Sequence, residues 1–478
     1  MRSFKFLFLL SIVLFSYRSE VHARVINAAN GTTAGIQAAV NQAAAGDTVR
    51  IPAGTFNYSG SISMNAGITV LGAGRNSTVL NKTGTSTTPM FVVNGSNGRR
   101  VTIGQFTLSG VTGSGSTMQD NGIRINSCTD FHIFDITFKN FGYSAVYVTG
   151  YSRGVIRKSS FLDIFRPALN NLGYGVVIYG DRNGAWSRPL NLGSNDAVYI
   201  EDCHFSNNRH AVASNDGSKY VFRYNTVADN AGNFQSVDAH GREYGSPRGS
   251  RSFEVYNNTI DNSVRNAWCS IMIRGGDGVI FNNNLLRGTG NAPILLCNRT
   301  DGTHVNASYP APDQTRSLYV WNNKRSNGST VGVTVREGHE RFFQLGRDYF
   351  HTEMPGYKPY TYPHPLSVTN PDEAQPDRPT SVIKSYGMNP AKPGILGRAS
   401  EGVLRYSVPK SARVRLTVHD LRGRAVSVNF DKVMSPGIHE LQLNSFVNNG
   451  AKMASGQYIY RLSIGEETFT VSAPLMKK

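Results

Sequence analysis

The sequence predicts an all-β protein in which a long coil of parallel strands follows an N-terminal capping helix and precedes a small β-sandwich. Three observations predict it. One segment shape recurs along the middle of the chain, apolar at alternate positions and closing on a polar pair and an apolar residue. Charged residues are only 17% of the 478, while 49 glycines and 22 tyrosines favour turns and strands over helices. Alternation then stops in a proline-rich stretch and resumes in the last eighty residues.

Residues 1–23 read as an address. Arg2 and Lys5 precede the apolar run from Phe6 to Phe15, and Val21 and Ala23 are the small residues a signal peptidase needs. A run of about ten residues is half of what a bilayer span takes, so cleavage after Ala23, a secreted or cell-surface location and no membrane span in the mature chain are expected. The formal charge of +17 suits an anionic partner. No basic run carries interleaved aromatics, so nucleic acid is not expected. Cys128, Cys203, Cys269 and Cys297 are too few to staple the fold, and no zinc spacing is present. Cys269 and Cys297 stand about one repeat apart, as a disulfide or as two buried thiols.

Thr33 to Ala45 has helical spacing and no strong charge, as a cap over the open strand edge of a solenoid requires. The repeat follows. Its closing residues Phe138, Phe161, Phe205, Val227, Ile260 and Leu285 lie 23, 44, 22, 33 and 25 residues apart, read as a unit of about 22 with one doubled interval and one insertion. In stacked parallel coils, alternate side chains enter the core and equivalent residues sit about 4.8 Å apart. Asn225, Asn257, Asn258 and Asn283 fit the turns, because asparagine tolerates the left-handed conformation and can bond along the stack.

The cap, then Gly46-Asp-Thr-Val-Arg-Ile-Pro-Ala-Gly-Thr-Phe56, then Ile68-Thr-Val-Leu-Gly-Ala-Gly-Arg75, resembles the opening of right-handed parallel β-helix proteins of the pectate-lyase-like superfamily. The resemblance covers residues 24–345 and implies the fold and a polysaccharide ligand. It leaves the reaction open, because this fold carries lyases, hydrolases, epimerases, esterases and non-catalytic spikes. Tyr357 to Leu366 resembles the segment that wraps the last coils of bacterial members, extending the helix domain to residue 366. Residues 367–399 are a linker by their Pro and Asp content. Residues 400–478 read as a sandwich, and Ser455-Gly-Gln-Tyr-Ile-Tyr-Arg-Leu462 resembles the sorting domains of type IX secretion and the related flagellar-hook-cap Ig-like module. That resemblance implies export machinery as a partner of the tail. A monomer is expected.

Polar chemistry concentrates between Asp202 and Arg274. If Val237 and Ala239 point inward, Asp238 and His240 point outward, and Ile271 and Ile273 send Arg274 out beside them. His210, Asp238, His240 and Arg274 are therefore the candidate catalytic residues, with Arg209, Arg223, Tyr224 and Arg242 as candidate substrate contacts. β-Elimination on a polyuronate needs an Arg or cation at the C6 carboxylate, a base for the C5 proton and an acid for the departing O4. The arginines Arg274, Arg209 and Arg223, the histidines His210 and His240, and Tyr224 or Tyr244 supply those types. Hydrolysis needs two flanking carboxylates, Asp238 with Asp202 or Glu243. A non-catalytic glycan-binding protein is the third reading. The chain lacks the N-T-D and paired D-D of the β-helix polygalacturonases and an acidic cluster like the calcium site of pectate lyases, so no metal ligands are named and calcium stays open as a cofactor. Tyr143, Tyr147, Tyr174 and Tyr179 are either sugar platforms or cover for apolar coil surface.

Overall fold

The structure, a computed structural model, describes residues 23–64, 67–84, 86–95, 99–111, 119–228, 234–243, 246–262, 267–288, 290–298, 307–368, 393–395, 403–410, 412–422, 424–434, 437–442, 447–448, 451–452 and 456–475. The leader and nearly all of the linker lie outside these residues. The chain divides into two compact units, residues 1–373 and 374–478.

Each coil of the first unit contributes three short parallel strands. One strand column is a ten-stranded sheet running from Ile62–Met64 to Val333–Val335, and the other two form a bent 21-stranded sheet. The bend has a local cause. Asp135, Lys158, Asp202, Tyr224, Asn257, Asn282 and Asn322 occupy equivalent places on successive coils, and every one has φ between 49 and 56°. One left-handed residue turns the strand, and among residues with a side chain Asn or Asp takes that conformation at least cost. The next residue carries the bonding. Asn225, Asn258, Asn283 and Asn323 form a buried file in which the amide oxygens of the last three each accept from the backbone N–H and the side chain of the asparagine one coil before, at 2.8–3.1 Å, and that of Asn225 accepts from the Cys203 N–H at 3.0 Å. These bonds satisfy backbone groups that a sharp turn would leave bare.

The repeat aligns as its closing residues indicate. Phe138, Phe161, Phe205, Val227, Ile260 and Leu285 are direct neighbours across five successive strand pairs. The 44-residue interval is not doubled. Phe161 pairs directly with Phe205, and the extra residues form one enlarged coil holding strand Tyr174–Tyr179 and the short helix Asn183–Ser187. Inside, the rings of Phe138, Phe161 and Phe205 stack at 5.0 and 4.5 Å. Helix Thr33–Gln42 buries Ile36, Ala39 and Val40 against the first coils, and the Thr32 hydroxyl caps it by accepting from the Gly35 N–H.

Residues 354–366 lie along the outer face of the bent sheet and reach the middle coils rather than only the last ones. Their anchor is Arg223, which is fully buried. Its guanidinium pairs with Glu201 at 2.6 Å and donates to the carbonyls of Tyr360 and Thr361 at 2.7 and 2.8 Å. Tyr224 stacks on Tyr362 with ring centroids 3.8 Å apart, and Asp202 accepts from Arg157 and the Tyr362 hydroxyl. Arg223, Tyr224 and Asp202 therefore fasten this covering segment, which corrects their assignment to a substrate groove. Arg223 sits in the bent sheet, with Asp202 and Tyr224 at its turns, while His210 and Asp238 sit in the ten-stranded one.

The second unit has antiparallel sheets of three and four strands, made of Gly394–Ile395, Val403–Val408 and Gly437–Gln442, and of Ala412–His419, Ala425–Met434, Gly456–Ile464 and Glu467–Leu475. Leu404, Tyr406 and Leu441 of the first share a core with Leu416, Val418, Tyr460 and Leu462 of the second.

Replacing Arg223 with alanine leaves the Glu201 carboxylate buried without its main partner, which costs about 3–5 kcal/mol. Denaturant titration of Arg223→Ala is expected to show that loss, with limited proteolysis newly cutting within residues 354–366.

Candidate active site

Val212, Val237, Ala239, Ile271 and Ile273 belong to the central core, so Asp238, His240 and Arg274 project from the outer face of the ten-stranded sheet. Ala239 pairs with Ile273 and its carbonyl accepts the Arg274 N–H at 2.8 Å, which sets His240 and Arg274 side by side on adjacent coils. Asp238 faces outward but is only 1% exposed, because its partners close over it. Arg274 grips it through Nε, at 3.0 Å from Oδ1, and through Nη2 on Oδ2. His240 Nε2 lies 3.4 Å and His210 Nε2 3.7 Å from Oδ2. One carboxylate thus gathers a guanidinium and two imidazoles from three coils.

The two histidines differ in access. His210 is 2% exposed, with Nδ1 2.6 Å from the Gln235 carbonyl. A carbonyl only accepts, so Nδ1 carries the proton. Burial pushes this imidazole down to about 3, with the Asp238 charge opposing. The side chain of His240 is 22% exposed, with Nδ1 2.9 Å from Glu243 Oε1, and Glu243 also accepts from Asn215 Nδ2 at 2.9 Å. Burial alone would raise the Asp238 carboxyl, but Arg274, His240 and His210 together hold it well below the usual carboxylate range. The side chain of Arg274 is 11% exposed.

Tyrosines extend this face toward the earlier coils. Tyr143 meets Tyr147 and Tyr174 edge to face at 5.7 and 5.5 Å, and Tyr147 meets Tyr179 at 5.5 Å. All four are half-buried. The Tyr174 ring lies 5.4 Å from His210, and burial raises its phenol above its ordinary value, with Arg209 opposing. Arg209 rests on the rings of Tyr174 and Phe234 at 5.6 and 4.6 Å, and Arg124 on Tyr147 at 5.2 Å. Arg242 is half-buried in the turn two residues past His240. Tyr244 lies outside the described residues.

Sequence reasoning missed the contributions of Asn215, Gln235 and Phe234. Asn215 was legible as the residue that register sets beside His240; Gln235 and Phe234 left no signal, since they act by folding back toward His210. Cys269 and Cys297 are free thiols, packed with Met272 and Leu295 on this same face. Among the described residues, no group of three or more His, Cys, Asp or Glu side chains is arranged to hold a metal ion.

Residues 90–260 match the family model for the right handed beta helix region. The match and the strand register together make this unit a right-handed parallel β-helix. No curated protein matches the chain. Among solved structures, the alginate lyase from Paenibacillus sp. str. FPU-7 aligns at 15% identity and a TM-score of 0.40, covering 66% of this chain and 98% of its own. The A-module of the Azotobacter vinelandii mannuronan C-5 epimerase AlgE6 aligns at 17% and 0.42, covering 64% and 86%. The polygalacturonase from Erwinia carotovora ssp. carotovora aligns at 12% and 0.40, covering 69% and 95%.

His210 also sets a pH dependence. Its folded pKa lies below the ordinary value near 6.5, so between about pH 6.5 and 3 the unfolded chain binds a proton that the folded chain lacks, and stability falls as pH falls. The slope from this one group is about 1.4 kcal/mol per pH unit. His364, which burial pushes down to about 3, adds in the same direction. Denaturant titrations at pH 6 and pH 5 are expected to show a smaller loss for His210→Gln than for the parent chain.

Proposed function

We propose that the chain is an exported enzyme that cleaves an acidic, uronate-containing polysaccharide by β-elimination on the outer face of the ten-stranded sheet. The observation that carries this reading is the half-buried His240 between two carboxylates, with the Arg274 guanidinium on the next coil. Glu243 accepts the proton on Nδ1 and leaves Nε2 as the base. Asp238, with Oδ2 3.4 Å from Nε2, stabilises the imidazolium that forms when Nε2 takes the C5 proton. Asp238 engages Nε and Nη2 of Arg274, so Nη1 is the edge that meets the C6 carboxylate and acidifies C5. As C5–H breaks, C4=C5 forms and the C4–O4 bond opens. Tyr174, whose ring lies 5.4 Å from His210 on the same face, is the donor to the departing O4. The tyrosine file and the net positive charge favour capture of an anionic chain.

Hydrolysis is less favoured. It requires one carboxyl protonated and both within reach of the glycosidic bond, whereas Asp238 is enclosed and held ionised, and Asp202 sits on the bent sheet. In this reading residues 1–23 direct export, the C-terminal sandwich engages the export machinery, and the mature protein acts as a monomer outside the cell.

Incubation of the mature protein with a panel of polyuronates is expected to release product that absorbs in the ultraviolet through its new C4=C5 bond. His240→Ala should lower that rate by about a hundredfold or more with an unchanged circular dichroism spectrum. Reducing ends that accumulate without the absorbance would mean hydrolysis, and binding without turnover would mean a glycan-binding protein.

A further inference from the structure

Beyond the cluster, toward the C-terminal coils, a second aromatic and guanidinium pair occupies the same face. Trp268 precedes strand Ile271–Ile273, which leads into Arg274, and is 52% exposed. Arg336 follows strand Val333–Val335, and its guanidinium lies over the Trp268 ring at 5.1 Å from the centroid. A lone exposed tryptophan needs no explanation. This one has a cation against it, and the neighbouring Cys269, Met272, Leu295 and Cys297 form a cluster that continues the face from Asp238.

Register relates the two arginines. Leu296 pairs with Ile273 on one side and with Val335 on the other, so Arg274, Cys297 and Arg336 occupy one column on three successive coils. At about 4.8 Å per coil, the backbones of Arg274 and Arg336 stand roughly 10 Å apart, a span that a disaccharide covers. A uronate chain lying along the coil axis would offer carboxylates on that scale, and its apolar ring faces suit the open part of the indole.

We propose that Trp268 and Arg336, the latter two coils past Arg274, form a second anionic-sugar subsite that binds a uronate residue of the same chain held at Arg274. This rests on the reading of the site as one for polyuronates. It adds that grip on the substrate depends on chain length, because a single uronate held at Arg274 does not reach the second pair.

Calorimetric titration of galacturonate and mannuronate monosaccharides and hexasaccharides into the full His240→Ala chain tests it. Added Trp268→Ala or Arg336→Gln is expected to weaken hexasaccharide binding about tenfold and to leave the monosaccharide Kd within twofold. Arg336→Gln should also flatten the salt dependence of binding, while Arg336→Lys, which keeps the charge, should restore part of it. Hexasaccharide affinity unchanged in both variants, with the parent binding normally, would overturn the subsite alone. If the parent binds neither uronate series, the polyuronate reading fails and the subsite falls with it. Loss in Trp268→Ala together with full affinity in Arg336→Gln would overturn the anionic character of the subsite.

Discussion

One buried carboxylate organises the outer face of the ten-stranded sheet. Asp238 cannot stay charged and enclosed without compensation, and the fold supplies it as the Arg274 guanidinium and two imidazoles, each from a different coil. That compensation fixes all three side chains in turn. Arg274 is drawn across from its own column to reach Asp238, His210 is sealed beneath the surface, and His240 is held between Asp238 and Glu243 with part of its ring at the surface. A solenoid achieves this cheaply, because register alone places residues far apart in sequence at one strand spacing.

The two outer faces of the coil use the same residue types to opposite ends. On the bent sheet, Arg223 and Glu201 are sealed under residues 354–366, and every donor of the guanidinium is matched to a carboxylate, a hydroxyl or a carbonyl. Such a pair holds elements together and offers nothing to a ligand. On the ten-stranded sheet, Arg274 spends part of its guanidinium on Asp238 and keeps an edge at the surface. Residual exposure, rather than charge, separates an arginine that fastens the fold from one able to meet a substrate.

Much of this was legible in the sequence, for a physical reason. Period-two alternation states which residues enter the core, so the outward positions of Asp238, His240 and Arg274 followed from Val237, Ala239, Ile271 and Ile273. The closing residues of the repeat marked one strand column, and the asparagines marked its turns. Arg223 and Tyr224 were misplaced because their partners, Tyr360, Thr361 and Tyr362, lie well over a hundred residues away on a segment with no periodicity. The 44-residue interval was misread because spacing cannot separate two coils from one coil that carries an insertion. Burial of His210 was hidden too, since it depends on Gln235 folding back toward it.

A crystal structure of the His240→Ala protein soaked with a hexauronate tests the central claim most directly. The account predicts sugar along the outer face of the ten-stranded sheet, with one carboxylate on Arg274 and a ring beside Tyr174. Sugar bound only on another face of the coil, or a bound chain whose carboxylates point away from Arg274, would contradict it.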